Sequence, residues 1–240
     1  MVMRFFLVIM VLILTALPAS AQLEQFIKGM GLGTNETVLS DVKIASGLKE
    51  ALKIGAENTV SLTGKLDGYF RNEAIKILMP EKLQTLEKGL RLIGYGPNVD
   101  EFVLSMNRAA EQASPSAKKI FWDAIGEMTF EDAKKILSGG NTAATDYFTG
   151  KTTDRLTTAF KPVIEESMNE VGVTRQYKDL VSKAQAIPFL KLESFDIDGY
   201  VVTKSLSGLF HVLGEEEQKI RTNPTSRVTD LLKEVFGKTK

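Results

Sequence analysis

The chain has 240 residues, 30 basic and 30 acidic side chains, one histidine and no cysteine. The missing cysteine excludes disulfides, zinc–thiolate sites and cysteine nucleophiles, so stability has to come from packing. Balanced charge argues against a nucleic-acid surface, which normally carries a basic patch, and against attraction to anionic lipid by charge alone.

Residues 1–21 read as a signal peptide. A single positive charge at Arg4 precedes an apolar run from Phe5 to Leu17, and small residues at Ala19 and Ala21 suit a signal peptidase cutting after Ala21. The apolar run is shorter than the roughly 20 residues a membrane-spanning helix needs, so no stable membrane insertion of the mature chain is expected. Residues 22–39 read as a flexible N-terminal arm. Asn35-Glu36-Thr37 matches a glycosylation triplet without context for it, and Gly31-Leu32-Gly33 lacks the preceding strand of a phosphate-binding loop.

Ser40-Asp41 is expected to cap a helix whose core face is Ile44, Ala45, Leu48, Ala51, Leu52 and Gly55. From Asn58 to Pro80 the pattern weakens. Asp67-Gly68 is a turn, and the stretch from Tyr69 to Leu78 fits either a short helix or an extended segment. Pro80 then starts a helix with the stripe Leu83, Leu86, Leu90 and Ile93, ended by Gly94-Tyr95-Gly96-Pro97.

The stretch from Met106 to Leu137 contains three joined helical patterns. The first carries Phe102, Val103, Met106, Ala109, Ala110 and Ala113 on one stripe. Ser114-Pro115 is read as the cap and first position of the second, which carries Ala117, Ile120, Phe121, Ala124, Ile125 and Met128. Thr129 and Asp132 resemble a capping box opening the third, through Phe130, Ala133, Ile136 and Leu137, and Ser138-Gly139-Gly140 is expected to end it with a left-handed glycine.

Further on, Ala144, Tyr147 and Phe148 suggest a short piece broken at Gly150. A longer helix follows from Thr152 or Thr153 through Leu156, Phe160, Ile164 and Val171, with a kink at Pro162. The threonines between Thr142 and Thr158 read as successive caps. Thr174 opens a helix through Ala184, and a segment from Asp196 to Arg221 carries Val202, Leu206, Leu209, Phe210 and Leu213 in helical register. Ser205, Ser207 and Gly208 within it are small and are expected to let another helix approach closely. Asn223-Pro224 starts a last helix bearing Val228, Leu231, Leu232 and Val235, and residues 238–240 form a tail. The expected fold class is therefore all-α: a single compact multi-helix bundle of about nine helices over residues 40–237, after a cleaved signal peptide.

Several segments together resemble a known family. They are Met106-Asn107-Arg108-Ala109-Ala110-Glu111, Met128-Thr129 with Asp132-Ala133, Ala143-Ala144-Thr145 with Tyr147-Phe148, and the ending from Glu216-Glu217 through Ile220-Arg221, Asn223-Pro224 and Asp230-Leu231-Leu232 to Val235-Phe236-Gly237. From about Leu39 to Gly237 the chain resembles a group of exported bacterial proteins catalogued as domain of unknown function 4197. That resemblance implies export and a helical domain, and it implies no reaction, ligand, partner or catalytic residue.

Asn107, Arg108 and Glu111 form the candidate polar cluster. At spacings of three and four the amide, guanidinium and carboxylate crowd one side of a helix beside its apolar stripe, either lining a groove or tying neighbouring helices together. His211 with Glu215 supplies at most two metal ligands, and Asp196-Ile197-Asp198-Gly199 departs from a calcium loop by having Ser194 and Ser205 at its first and last positions. No metal or cofactor is expected. Glu215 with Lys219 and Glu217 with Arg221 read as pairs on a solvated face. Trp122 sits beside its stripe, where it covers a core edge or meets a partner.

Catalytic fingerprints are missing, so the expected function is a non-enzymatic binding module. It is read as a periplasmic or secreted monomer whose partner is a small apolar, lipid-like ligand or an envelope protein. The alternative is a hydrolase using carboxylates such as Glu111 and Asp123, which would have to converge in one cleft.

Overall fold

A computed structural model describes residues 36–170 and 195–223, with residues 36–41 described by their backbone only. The chain divides into two compact units, Met1–Val42 and Lys43–Lys240. Within the first, the described residues are the opening turns of helix α1, Glu36–Gly64; the core lies in the second. The expected helices at 174–184 and after Asn223, and the signal peptide, lie outside the described residues. What is described is helix and turn, with no strand.

Helix α1 corrects two expected boundaries. Ser40 and Asp41 lie inside it rather than capping it, and it runs nine residues beyond Gly55 to Gly64. The buried face continues there through Ala56, Thr59, Val60 and Thr63. The two threonines interrupt the apolar pattern, but their hydroxyls donate to the carbonyls of Gly55 and Thr59 at 2.7 and 2.8 Å. A threonine satisfied by its own helix can be buried at little cost.

After a series of turns over residues 65–75, residues 76–80 have no regular secondary structure. The Asp67-Gly68 turn is present, and Asp67 takes a left-handed φ of 64°. A 3-10 turn at Glu81–Leu83 leads into α2, Gln84–Leu92. Leu83 and Leu90 are buried as expected, whereas Ile93 is 69% exposed because the helix ends before it and the chain reverses at Gly94, φ 91°.

Helix α3, Gly96–Ala113, is buried on most of its sides. Its Phe102, Met106, Ala109, Ala110 and Ala113 are buried without residue, but so are Ser105, Asn107 and Glu111. Burial therefore wraps most of its circumference rather than one stripe, as in a helix surrounded by others. Ser114 is not a cap. It begins a 3-10 turn, Ser114–Ser116, and its hydroxyl donates back to the Ala110 carbonyl at 2.9 Å.

Helix α4, Ala117–Glu127, buries Phe121, Ala124 and Ile125. The Thr129–Asp132 capping box is formed in both directions and opens α5, Phe130–Ser138. Gly139 ends α5 with φ −80°, not left-handed; its role is spatial, since a Cβ there would lie 2.8 Å from the Lys135 carbonyl oxygen.

Helix α6, Ala143–Glu170, is continuous through Gly150 and contains Pro162. Thr149, Thr152, Thr153, Thr157 and Thr158 are mid-helix rather than caps, each hydroxyl returning to the carbonyl four residues back at 2.6–2.9 Å. Helix α7, Ile197–Thr222, is capped by Asp196, whose side chain accepts from the Gly199 N–H, so those acids serve a helix start.

Helix α6 packs chiefly against α7 and α3. Phe121 of α4 and Phe148 of α6 meet edge to face at 5.1 Å, with Phe210 of α7 at 6.4 Å from Phe121. Burial of each such phenyl ring contributes roughly 1.5–3 kcal/mol.

Candidate functional site

The cluster Asn107, Arg108 and Glu111 is brought together on α3, and its partners are the irregular residues 67–77. Asn107 is fully buried and treats Ile77 as a strand neighbour would. Its Oδ1 accepts the Ile77 N–H at 2.9 Å, and its Nδ2 donates to the Ile77 carbonyl at 2.8 Å and to the Val103 carbonyl at 2.7 Å. One amide side chain thus satisfies both backbone groups of a buried residue that has no sheet to join.

Glu111 acts on the other end of the segment. Its Oε1 accepts the consecutive backbone N–H groups of Tyr69 and Phe70 at 3.1 and 3.2 Å, and its Oε2 accepts from Arg108 Nη1 at 2.6 Å. Arg108 Nη2 donates to Asp67 Oδ1 at 2.6 Å, and Asp67 Oδ2 is paired with Arg71 at 2.9 Å. Partial burial disfavours the Arg108 cation, but its bonds to Glu111 and Asp67 outweigh that and raise its pKa above the ordinary value. The left-handed Asp67 is held by arginines on both carboxylate oxygens.

Tyr69 completes the anchor. It is fully buried and its hydroxyl donates to the Ser205 carbonyl of α7 at 2.6 Å. Burial, with the Glu111 charge adding to it, pushes the phenol pKa well up. At Gly208 it is this ring and the turn segment, not another helix, that come close: a Cβ on Gly208 would sit 2.6 Å from Tyr69 Cε1 and 3.0 Å from Ile75 Cβ.

The cluster therefore lies beneath a surface rather than in it. The segment it anchors lines two open clefts. The larger, about 670 Å³, lies between the end of α1, residues 65–72 and α7, and takes in Leu62, Lys65, Asp67, Arg71, Val212 and Lys219. The smaller, about 340 Å³, lies between residues 70–79 and the α2–α3 corner, with Phe70, Leu78, Met79 and Val103 beside Arg91 and Asp100. At that corner Leu92, Ile93 and Tyr95 are 87%, 69% and 43% exposed, although Leu90 and Val99 on either side are buried.

The other candidates separate. His211 is exposed, 3.5 Å from Glu215, and among the described residues no group of three or more acidic or histidine side chains could hold a metal. Asp123 is paired with Lys119 and Arg155 at 2.8 and 2.9 Å, and these, Lys119 foremost, hold its carboxyl below the usual range. Glu111 and Asp123 share no hydrogen-bond partner. Trp122 is half-exposed, with the Lys118 ammonium 4.7 Å from its ring centre.

The expected solvated face of α7 is corrected. Glu217 is buried, accepts the Ala144 and Thr145 N–H groups at 2.9 and 2.8 Å, and so caps α6; Arg221 pairs with it at 2.8 Å and also donates to the Ile136 carbonyl. Lys219 pairs with the buried Glu216 at 2.7 Å rather than with Glu215, and Glu216 also accepts from Asn58 at 2.9 Å. A signal for both acids exists in the sequence: Glu216 and Glu217 occupy the apolar register of Leu209, Leu213 and Ile220.

These features define an all-helical domain whose irregular segment and helix start are each fastened by a buried carboxylate. The family described as Protein of unknown function (DUF4197) matches residues 38–237, and the chain belongs to it. Neither a curated protein nor a solved structure matches the chain.

Proposed function

We propose that this is an exported, non-enzymatic binding module of the cell envelope. In this reading it is released after Ala21, folds as a monomeric bundle of about nine helices, and engages an envelope protein through the α2–α3 corner. The observation that carries it is the exposure of Leu92, Ile93 and Tyr95 together at the turn joining α2 to α3. Contiguous exposed apolar side chains mark interaction sites on soluble proteins. The nearby charges are already spent on one another, Arg91 pairing with Glu87 at 3.0 Å and Asp100 at 2.7 Å. A partner offering an apolar groove fits such a turn better than an anionic surface does.

A wholly apolar ligand in a dry cavity has less in its favour, because both clefts are open and carry charged side chains on their walls. The carboxylate hydrolase has no support from geometry, since the Glu111 oxygens are taken up by Tyr69, Phe70 and Arg108.

The test is a photo-crosslinking residue at Ile93 in the exported protein, with the same residue at Glu131 as control, followed by native mass spectrometry of the protein from its own compartment. A defined protein adduct from position 93, lost on Leu92→Asp, is expected. No adduct from position 93, in protein that arrives carrying lipid, would overturn the partner reading.

A further inference from the structure

The larger cleft has a chemical bias that its mixed lining conceals. Its acceptors are largely used: Asp67 has one oxygen on Arg108 and the other on Arg71, and Glu215 faces His211. Its donors are not. Arg71 is a largely exposed side chain paired with Asp67 through Nε, and Lys65 has no ion-pair partner among the described residues. Lys219 gives one of its three N–H bonds to Glu216. Apolar surface adjoins these donors, with Leu62 and Leu66 on one wall and Val212 of α7 on the other; Leu62 and Leu66 stand exposed.

The walls are also rigidly set. Gly68 can take no side chain, since a Cβ would lie 2.7 and 2.9 Å from the carbonyl oxygens of Thr63 and Lys65, and Asp67 is fixed in its left-handed conformation by two arginines. A volume of about 670 Å³ is within the range of small-molecule sites. Backbone held in a sparsely populated conformation beside a concave surface is where such sites concentrate.

We propose that this cleft binds an amphiphilic anion: a carboxylate or phosphate head group received by Lys65, Arg71 and Lys219, with an alkyl chain lying across Leu62 and Leu66. This goes beyond partner docking at the α2–α3 corner and does not depend on it, since the two surfaces share no residue.

The experiment is calorimetric titration of the full mature chain with dodecanoate and with dodecyl phosphate below their micelle concentrations. Dodecanol serves as the neutral chain, and acetate and inorganic phosphate serve as heads without a chain. Saturable binding of the charged amphiphiles is expected, the tighter of the two naming the head group, with affinity falling as salt is added. The double variant Lys65→Gln, Arg71→Gln, which changes two exposed side chains and leaves Asp67 its bond to Arg108, should weaken it by about tenfold, as loss of charge-assisted bonds does. Leu92→Asp should leave it unchanged.

Equal binding of dodecanol would overturn the anion requirement, and equal binding of inorganic phosphate would overturn the amphiphile. Binding undiminished in the double variant would remove the ligand from this cleft, and absence of binding would end the proposal.

Discussion

Two places in this molecule use the same device to different ends. At residues 67–77 the buried Glu111 receives two consecutive backbone N–H groups and an arginine; at the start of α6 the buried Glu217 does likewise. A helix start already aligns its first N–H groups and adds its dipole to an acid's attraction, so Glu217 improves on an element that has its own hydrogen-bond ladder. Residues 67–77 have only separate turn bonds, such as Arg71 N–H to the Asp67 carbonyl at 3.1 Å and Lys76 N–H to the Asn72 carbonyl at 2.8 Å. Glu111, Arg108, Asn107 and the Tyr69 hydroxyl join those turns to α3 and α7, so the device there holds a segment in place rather than trimming a helix end.

The difference is open to measurement. Replacing Glu111 by Ala leaves the Tyr69 and Phe70 N–H groups without an acceptor and takes from Arg108 one of its two carboxylate partners, Asp67 remaining, and should cost about 3–5 kcal/mol, read as a lowered urea midpoint. Glu217→Ala should cost about 1–3 kcal/mol, because Arg221 keeps the Ile136 carbonyl and α6 keeps its remaining turns. Equal losses would erase the distinction drawn above.

Asn107→Ala should cost about 3 kcal/mol and, in limited proteolysis, expose cutting at Lys76 that Glu217→Ala does not. The nearly isosteric Asn107→Asp should be no better, since it opposes a carboxylate to the Ile77 and Val103 carbonyls. Proteolysis unchanged in both variants would mean that residues 67–77 hold without Asn107.

Gly208→Ala tests the Tyr69 end of the anchor and should lower stability by about 1–3 kcal/mol through overpacking, measured by thermal unfolding. A neutral result would show that the ring shifts freely.

The smallest effect belongs to a conventional cap far from either carboxylate. Thr129→Ala should cost about 1 kcal/mol. Hydrogen bonds from Thr129 hold the Asp132 carboxyl below its ordinary value of 3.8, so this contribution is complete above pH 3.8 and is lost as pH falls through the lower folded-state value. In the Thr129→Ala protein, the acid limb of a stability–pH profile should be correspondingly flatter.

How much of this could be read in advance follows the same division. Elements whose signals are local were legible: the Thr129–Asp132 box, the apolar register of α4, and the helical register of α7 from Val202 to Leu213. Threonine misled in α1 and α6, where its hydroxyl serves the preceding turn and leaves the helix intact through positions that looked like joints. Asn107, Arg108 and Glu111 stood out by spacing, but their purpose did not, because their partners lie 30 to 42 residues earlier in a stretch with no period. Glu217 and Arg221 had the spacing of an ordinary surface pair, and only the apolar register around them distinguished a buried one.

Trp122, the chain's one tryptophan, gives the optical reading of these experiments a particular shape. Its indole is 41% exposed beneath Lys118 in the folded protein, so its emission starts from a wet environment and shifts little when the chain opens. It also sits on α4, away from both carboxylates. The informative chromophore is the buried Tyr69 phenol, which resists ionisation in alkali. Burial raises Tyr147 and Tyr200 as well, so the signal for residues 67–77 is the part of a spectrophotometric alkaline titration that Glu111→Ala or Asn107→Ala moves and Glu217→Ala does not.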